Sequence, residues 1–214
     1  YEILSGPVGS EMCIRDSGYI AILDNFLSEN SSSISAEKLW NKSEIYHFIG
    51  KDIMNFHTLF WPALLDASDF KKPSNVFVHG FMTLNGKKMS KSKGNFLLID
   101  DYLKLLNPDY MRYFLATKLS NGIDDLDLDL LDFQKKVNTD LVGKFVNIAS
   151  RSQGFLKEFN NILSNDLDED LIDEFSNKKN KIFNHYLDRN YSKALKEIMT
   201  LADKANQYID SNKP

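Results

Sequence analysis

Strand-like runs in this sequence lie between Glu44 and Met89, and from Asp100 onward only helical spacing remains. Such a separation restricts the chain to an α/β part followed by an all-α part, because each layer must bury its apolar face against a neighbour. Glu44 to Ile49 (EIYHFI) is rich in β-branched and aromatic residues and reads as a strand. Gly50 then permits a tight turn into KDIMNFHTLFWPALL, whose spacing is helical and in which Pro62 predicts a kink or a break. A second strand is expected over Asn75 to Phe81, and Asn85-Gly86 within Met82 to Met89 is the strongest short hairpin signal a sequence offers.

The second part reads from its caps and its periods. Asp100 or Asp101 can cap a helix running through Leu106, and Asn107-Pro108 places a cap before the residue favoured at the first helical position. Phe133, Val137, Leu141 and Phe145 recur every four residues and predict a long amphipathic helix. A further helix over roughly Ser192 to Ile209 would bury Leu195, Ile198, Leu201, Ala202 and Ala205. The composition shifts between Leu119 and Asp132, which divides the chain into residues 18–125 and 126–214. Residues 1–17 have neither a strand nor a helix period and read as loop or foreign sequence, so Cys13 is given no functional weight. The Ser/Asn cluster before Ser35 reads as a linker, with Ser35 opening a short helix.

Composition excludes whole classes. With 43% hydrophobic, 26% charged and 12% aromatic residues in 214, the chain can bury a core and is not an intrinsically disordered or collagen-like sequence. No run reaches the ~18 apolar residues of a membrane span, and the start lacks the order of a secretory signal, so no membrane partner and a cytoplasmic location are expected. A single cysteine leaves no intrachain disulfide framework and no cysteine-based zinc site, and no metal ligands are assigned. The net charge of −4 means that a nucleic-acid partner would be held by local basic patches rather than a global field.

Two segments carry chemistry. Lys87 to Asn95 (KKMSKSKGN) sets lysines among serines directly after the expected hairpin. A loop of this kind brings ammonium groups to polyphosphate oxygens, and cations placed where charge develops on a leaving pyrophosphate lower the barrier, by about 3 kcal/mol for one well-placed donor. Lys88 and Lys91 are the candidates, against the plainer reading of a solvated basic loop. The second segment, His47 to Asp52 (HFIGKD), ends a strand with glycine and opens a helix with an acidic residue, which taken alone reads first as a plain helix cap and otherwise as an arrangement that lets a nucleotide approach and a carboxylate accept ribose hydroxyls. Ile53, His57 and Trp61 follow at i, i+4 and i+8 on one helix face, either as ordinary core or as a pocket for an unbranched apolar side chain.

Lys88-Met89-Ser90-Lys91-Ser92 spells the KMSKS signature of class I aminoacyl-tRNA synthetases. Together with YHFIGKD, FHTLFWPALL, KPSNVFVHGFMTLNGKKMSKSKGN, RYFLATKLSNGIDDLDLDLLDF and KFVNIASR, it resembles the methionyl-tRNA synthetase family from Gly18 to the last residue. The resemblance implies the second half of a Rossmann-type catalytic domain with its KMSKS region, then a helical anticodon-binding bundle. It implies activation of L-methionine with ATP and Mg²⁺ to methionyl-adenylate and transfer to tRNA(Met). Carried over by position, Gly50, Asp52, the backbone at Met82, Lys88 and Lys91 correspond to the ATP site. Tyr19, Ile53, His57 and Trp61 correspond to the methionine pocket, and Asn147 and Arg151, at i and i+4 and without the resemblance an ordinary solvated helix face, to the pair that reads the anticodon.

Departures from the family pattern accompany the matches. The HIGH motif and the zinc-ligand cysteines of the family do not occur in the sequence, residues 1–17 do not match, and Asn212-Lys213-Pro214 falls just before the family's anticodon-stacking tryptophan. The chain therefore reads as a fragment, inactive alone, with zinc expected only in the missing part. The alternatives are a non-catalytic tRNA-binding module and a class I synthetase for another apolar amino acid.

Overall fold

In the computed structural model the described residues are 7–90, 94–160, 162 and 166–212, with side chains from Gly18 onward. They form two compact units that divide between Phe81 and Met82.

The first unit is a βαβ element with two helices before it. Helix α1 spans Pro7–Glu29, and α2, Ala36–Lys42, is opened by Ser35, whose Oγ accepts from the Lys38 amide as expected. Strands β1 (Tyr46–Gly50) and β2 (Asn75–His79) are parallel, in register from Tyr46 opposite Asn75 to Gly50 opposite His79. Alternation along β1 buries His47 and Ile49 and turns Tyr46 and Phe48 outward. The helical run between the strands holds Trp61 and Leu65, which pack with Trp40 of α2 into the core of this unit.

That run is irregular in a way its spacing did not reveal. It begins with a 3₁₀ turn at Lys51–Ile53, passes through a π-helical turn at Phe56–Phe60 and becomes the α-helix α3 only at Trp61–Ala67. The expected disruption at Pro62 is thus displaced upstream. Pro62 sits in the first turn of α3, where its missing N–H costs nothing, and the wide turn before it lets the Trp61 amide reach the Phe56 carbonyl. A second correction concerns residues 1–17: helix α1 already covers Pro7 onward. Helical hydrogen bonding is local, whereas the apolar period sought in the sequence reports a buried face. The side chain of Cys13 lies outside the described residues.

The second unit starts with the hairpin. Strands β3 (Met82–Leu84) and β4 (Lys87–Lys88) are antiparallel, and Asn85 and Gly86 between them both have positive φ, 48° and 73°. This is the geometry a two-residue hairpin turn demands and the reason for Asn-Gly. Helices α4 (Ile99–Leu105) and α5 (Pro108–Lys118) follow; Asn107 caps α5 through the Asp109 amide, while Asp100 and Asp101 lie in the first turn of α4 rather than capping it.

Strand signals do not end at Asp100 in the folded chain. Strand β5, Leu126–Leu128, pairs in parallel with β3. Three residues are too few to show a period, and what makes them a strand is the edge of β3. The acidic run IDDLDLDLLD is thereby put to structural use. Asp127 Oδ1 accepts from the Thr83 hydroxyl at 2.6 Å and the Gly86 amide at 2.7 Å, Asp129 caps the next helix, and Asp132 pairs with Lys118.

The expected long helix is present as α6 (Leu130–Lys136), a π-helical segment (Val137–Val146) and α7 (Asn147–Glu158). Apolar residues every four positions drift ~40° per repeat around an α-helix, and a wider turn reduces that drift. Phe133 and Val137 join Tyr102, Phe114 and Leu128 in the core, whereas Phe145 at the far end is exposed. Helices α8 (Glu169–Leu187) and α9 (Tyr191–Asn212) complete the unit. Ala194 and Ala202 are the buried residues of α9; Leu195, Ile198, Leu201 and Ala205 are half-buried.

Candidate functional site

Tyr19, His57 and Trp61, expected together from the sequence, meet around one ring. The Tyr19 ring centroid lies 5.9 Å from His57 and 6.0 Å from Trp61, on a separate helix. Polar atoms fix the arrangement. His57 Nδ1 donates to the Ile53 carbonyl at 3.1 Å, because a carbonyl can only accept, so in the neutral ring Nε2 takes the Tyr19 hydroxyl proton at 3.0 Å. Ile53 therefore enters the cluster through its carbonyl as well as its position one turn before His57.

His47, the first residue of HFIGKD, occupies the middle of this cluster. Its centroid is 4.9 Å from Tyr19 and 5.4 Å from His57, and its Nε2 accepts the Trp61 indole N–H at 3.2 Å. Burial, reinforced by the neighbouring His57, lowers its pKa below the ordinary histidine value. The two-residue burial period of β1 was the available signal, since it puts His47 on the same inward face as Ile49.

The turn after β1 explains Gly50. A Cβ there would stand 2.6 Å from Asp52 Oδ1, so only glycine lets the carboxylate fold back over the strand end. Lys51 Nζ lies 4.8 Å over the Phe81 ring. The strand end thus presents a backbone left bare, a carboxylate and a cation.

In the other unit Met82 opens β3 opposite Leu126, and the β4 ladder stops at Thr83, one residue short of it. Lys88 ends β4 opposite Thr83. Lys91 and Ser92 lie outside the described residues. The two ends of the KMSKS loop are tied by Asn95, whose Oδ1 accepts from the Ser90 amide at 3.1 Å and whose Nδ2 donates to the Lys88 carbonyl at 2.8 Å. Gly94, at φ 68°, makes the return bend. In the sequence Asn95 is only the last letter of KKMSKSKGN, and nothing in its spacing signals this tie.

Asn147 and Arg151 share the face of α7 that meets α9. Asn147 Nδ2 donates to Asn206 Oδ1 at 3.2 Å, and Arg151 reaches the Asn206 carbonyl at 3.4 Å and both oxygens of Asp210. Asn206 donates in turn to the carbonyls of Lys144 and Ala202. The pair is oriented by a helix neighbour and does not wave in solvent.

Among the described residues no three His, Cys, Asp or Glu side chains converge as metal ligands, and no helix is long and apolar enough to cross a membrane.

Residues 16–153 match the family described as tRNA synthetases class I (M). The chain belongs to that family. It is 50% identical over 202 residues to the methionine–tRNA ligase of Vesicomyosocius okutanii subsp. Calyptogena okutanii (strain HA), an alignment that takes in 92% of this chain and 37% of the relative. Among solved structures it is similar to Mycobacterium tuberculosis methionyl-tRNA synthetase in complex with methionyl-adenylate, with a TM-score of 0.74, 27% identity, and coverage of 85% of this chain and 36% of that one. A second structure of that synthetase bound by methionyl-adenylate gives a TM-score of 0.72 at 28% identity, over 83% of this chain and 35% of that one. The fold is accordingly the Rossmann-like fold of class I synthetases, and the chain spans a little over a third of the length of the relatives it matches.

Proposed function

We propose that this chain is the part of a methionine–tRNA ligase that walls the methionine pocket, carries the KMSKS loop and begins the anticodon-binding bundle at about residue 126. The observation that carries the reading is the Tyr19, His47, His57 and Trp61 cluster next to the Gly50–Asp52 turn. An aromatic wall with one hydroxyl and two imidazoles suits an unbranched side chain containing sulfur, which makes favourable contacts with rings. Methionine fits that description, and the similar Mycobacterium tuberculosis protein binds methionyl-adenylate.

In this reading Asp52 accepts the ribose hydroxyls of ATP, the backbone freed of a Cβ at Gly50 lets the nucleotide approach, and the Met82 backbone reads adenine. Lys88 and Lys91 meet the triphosphate. Attack of the methionine carboxylate on the α-phosphorus forms the adenylate and releases pyrophosphate, and the lysines act on the charge that develops there. The adenylate then esterifies tRNA(Met), selected through Asn147 and Arg151. Shape alone separates side chains differing by one methylene by only about 1 to 3 kcal/mol, so the polar groups of the pocket share in selecting the thioether.

The test is ATP–pyrophosphate exchange by the full-length protein that contains this chain. Stimulation by methionine is expected; stimulation by another amino acid and not by methionine would overturn the assignment.

A further inference from the structure

Helices α5 and α9 and the π-helical segment enclose a cleft of about 560 Å³ that none of the assigned site residues lines. Its walls are cationic in a chain of net charge −4. Lys136 and Lys144 rise from the α6 side, Lys193 and Lys196 from α9, and only Asp140 and Asp203 oppose them. The two carboxylates are already matched: Asp140 lies 3.3 Å from Lys136 and Asp203 2.7 Å from Lys144. Asp140 also accepts the Tyr113 hydroxyl at 2.8 Å, and burial together with that carboxylate raises the Tyr113 pKa, so the phenol stays protonated. Lys193 and Lys196 are exposed and, among the described residues, in no ion pair.

We propose that this cleft binds the phosphate backbone of RNA. Two solvated lysines gain little from a single small anion, because exposed ion pairs are weak. A polyanion is different: each phosphate neutralised releases condensed counterions, and the contributions accumulate along the strand. The cleft is also continuous with the proposed anticodon pair, on which this inference rests for its orientation. Lys136, Asp140, Lys144, Asn147 and Arg151 follow one another at spacings of four, four, three and four residues on one side of the same helical run, and Asp203, Asn206 and Asp210 answer them from α9. Fifteen residues separate Lys136 from Arg151, which is at most about 22 Å of helix, since the π-helical turns between them rise less per residue than an α-helix, so an RNA read at Arg151 reaches the cleft within a few nucleotides.

The experiment measures tRNA affinity of the full-length synthetase between 50 and 200 mM salt, a range over which phosphate contacts dominate. Replacing both Lys193 and Lys196 by alanine is expected to reduce the slope of log affinity against log salt by about 1.5, roughly 0.7 to 0.9 per lost phosphate contact. The loss is expected to be equal for cognate tRNA and for tRNA with an altered anticodon, and the double arginine variant should retain the slope. Exchange without tRNA should not change. An unchanged slope, a loss confined to the cognate anticodon, an equal effect of Lys179→Ala on the outer face of α8, or a fall in exchange would each overturn the proposal. Competition by inorganic phosphate without any change of slope would assign the cleft to a small anion and overturn it as well. Failure of the methionine assignment is read separately, from exchange by the unaltered enzyme.

Discussion

His57 is held by two hydrogen bonds that fix its tautomer, and the one to Tyr19 joins elements 38 positions apart in sequence. Tyr19→Phe removes that bond while keeping the ring contacts. The expected result is a loss of about 1 kcal/mol of unfolding free energy, the worth of one hydrogen bond within the protein, together with a raised KM for methionine in pyrophosphate exchange. Trp61 is different because it is 1% exposed and packed against Trp40. Trp61→Ala should cost about 3 to 5 kcal/mol of unfolding free energy in addition to any loss of methionine affinity, which denaturant titration would show. Arg151→Ala is expected to lower charging of tRNA by roughly 10- to 100-fold, corresponding to a lost base contact of about 1 to 3 kcal/mol, and to leave exchange without tRNA almost unchanged. Equal loss in both reactions would make Arg151 only the tie between α7 and Asp210 of α9.

At the scale of elements the KMSKS hairpin is the instructive case. Its turn is dictated by Asn85-Gly86, but its position is held from outside by Asp127, which bonds both Thr83 and Gly86. The hydrogen bond from Thr83, then that from Gly86, keeps the Asp127 pKa below the ordinary carboxylate value, so this tie is present at neutral pH and is lost only in acid. Asn95 does the corresponding work at the loop ends. Asn95→Ala is expected to lower the rate constant of methionine activation about tenfold while methionine affinity holds, since in the proposed function the loop acts when pyrophosphate leaves rather than when the amino acid binds. Parallel loss of both quantities, measured by single-turnover activation over a methionine series, would show that Asn95 serves general folding instead.

For the whole molecule the buried His47 sets a pH dependence. Its pKa is depressed in the folded chain, so between that value and the ordinary one near 6.5 the unfolded chain binds more protons and stability rises with pH. The contribution is complete above about pH 6.5 and is lost as the pH falls through the folded value. Protonation would also replace the acceptor that the Trp61 indole uses. The thermal midpoint should therefore fall between pH 7.5 and pH 5.5, and His47→Gln, which keeps an acceptor without a titrating ring, should flatten that slope.

The sequence by itself determined the features that depend on neighbours along the chain. Asn85-Gly86 specifies its turn through positive φ, Asn107-Pro108 and Ser35 specify helix starts through local donors, and the KMSKS letters together with Gly50 and Asp52 carry the resemblance on which the proposed nucleotide site rests. Tertiary structure alone decided the rest. Leu126–Leu128 is a strand only because β3 offers an edge, His47 joins the aromatic cluster only because β1 turns it toward Tyr19 and Trp61, and the helical run through Pro62 keeps its course by widening one turn upstream. Asn147 and Arg151 stand on one face by spacing, but their orientation comes from Asn206 and Asp210 of α9, roughly sixty residues later. Local propensities are written in short windows, whereas an edge, a buried partner or an opposing helix exists only once distant segments have met.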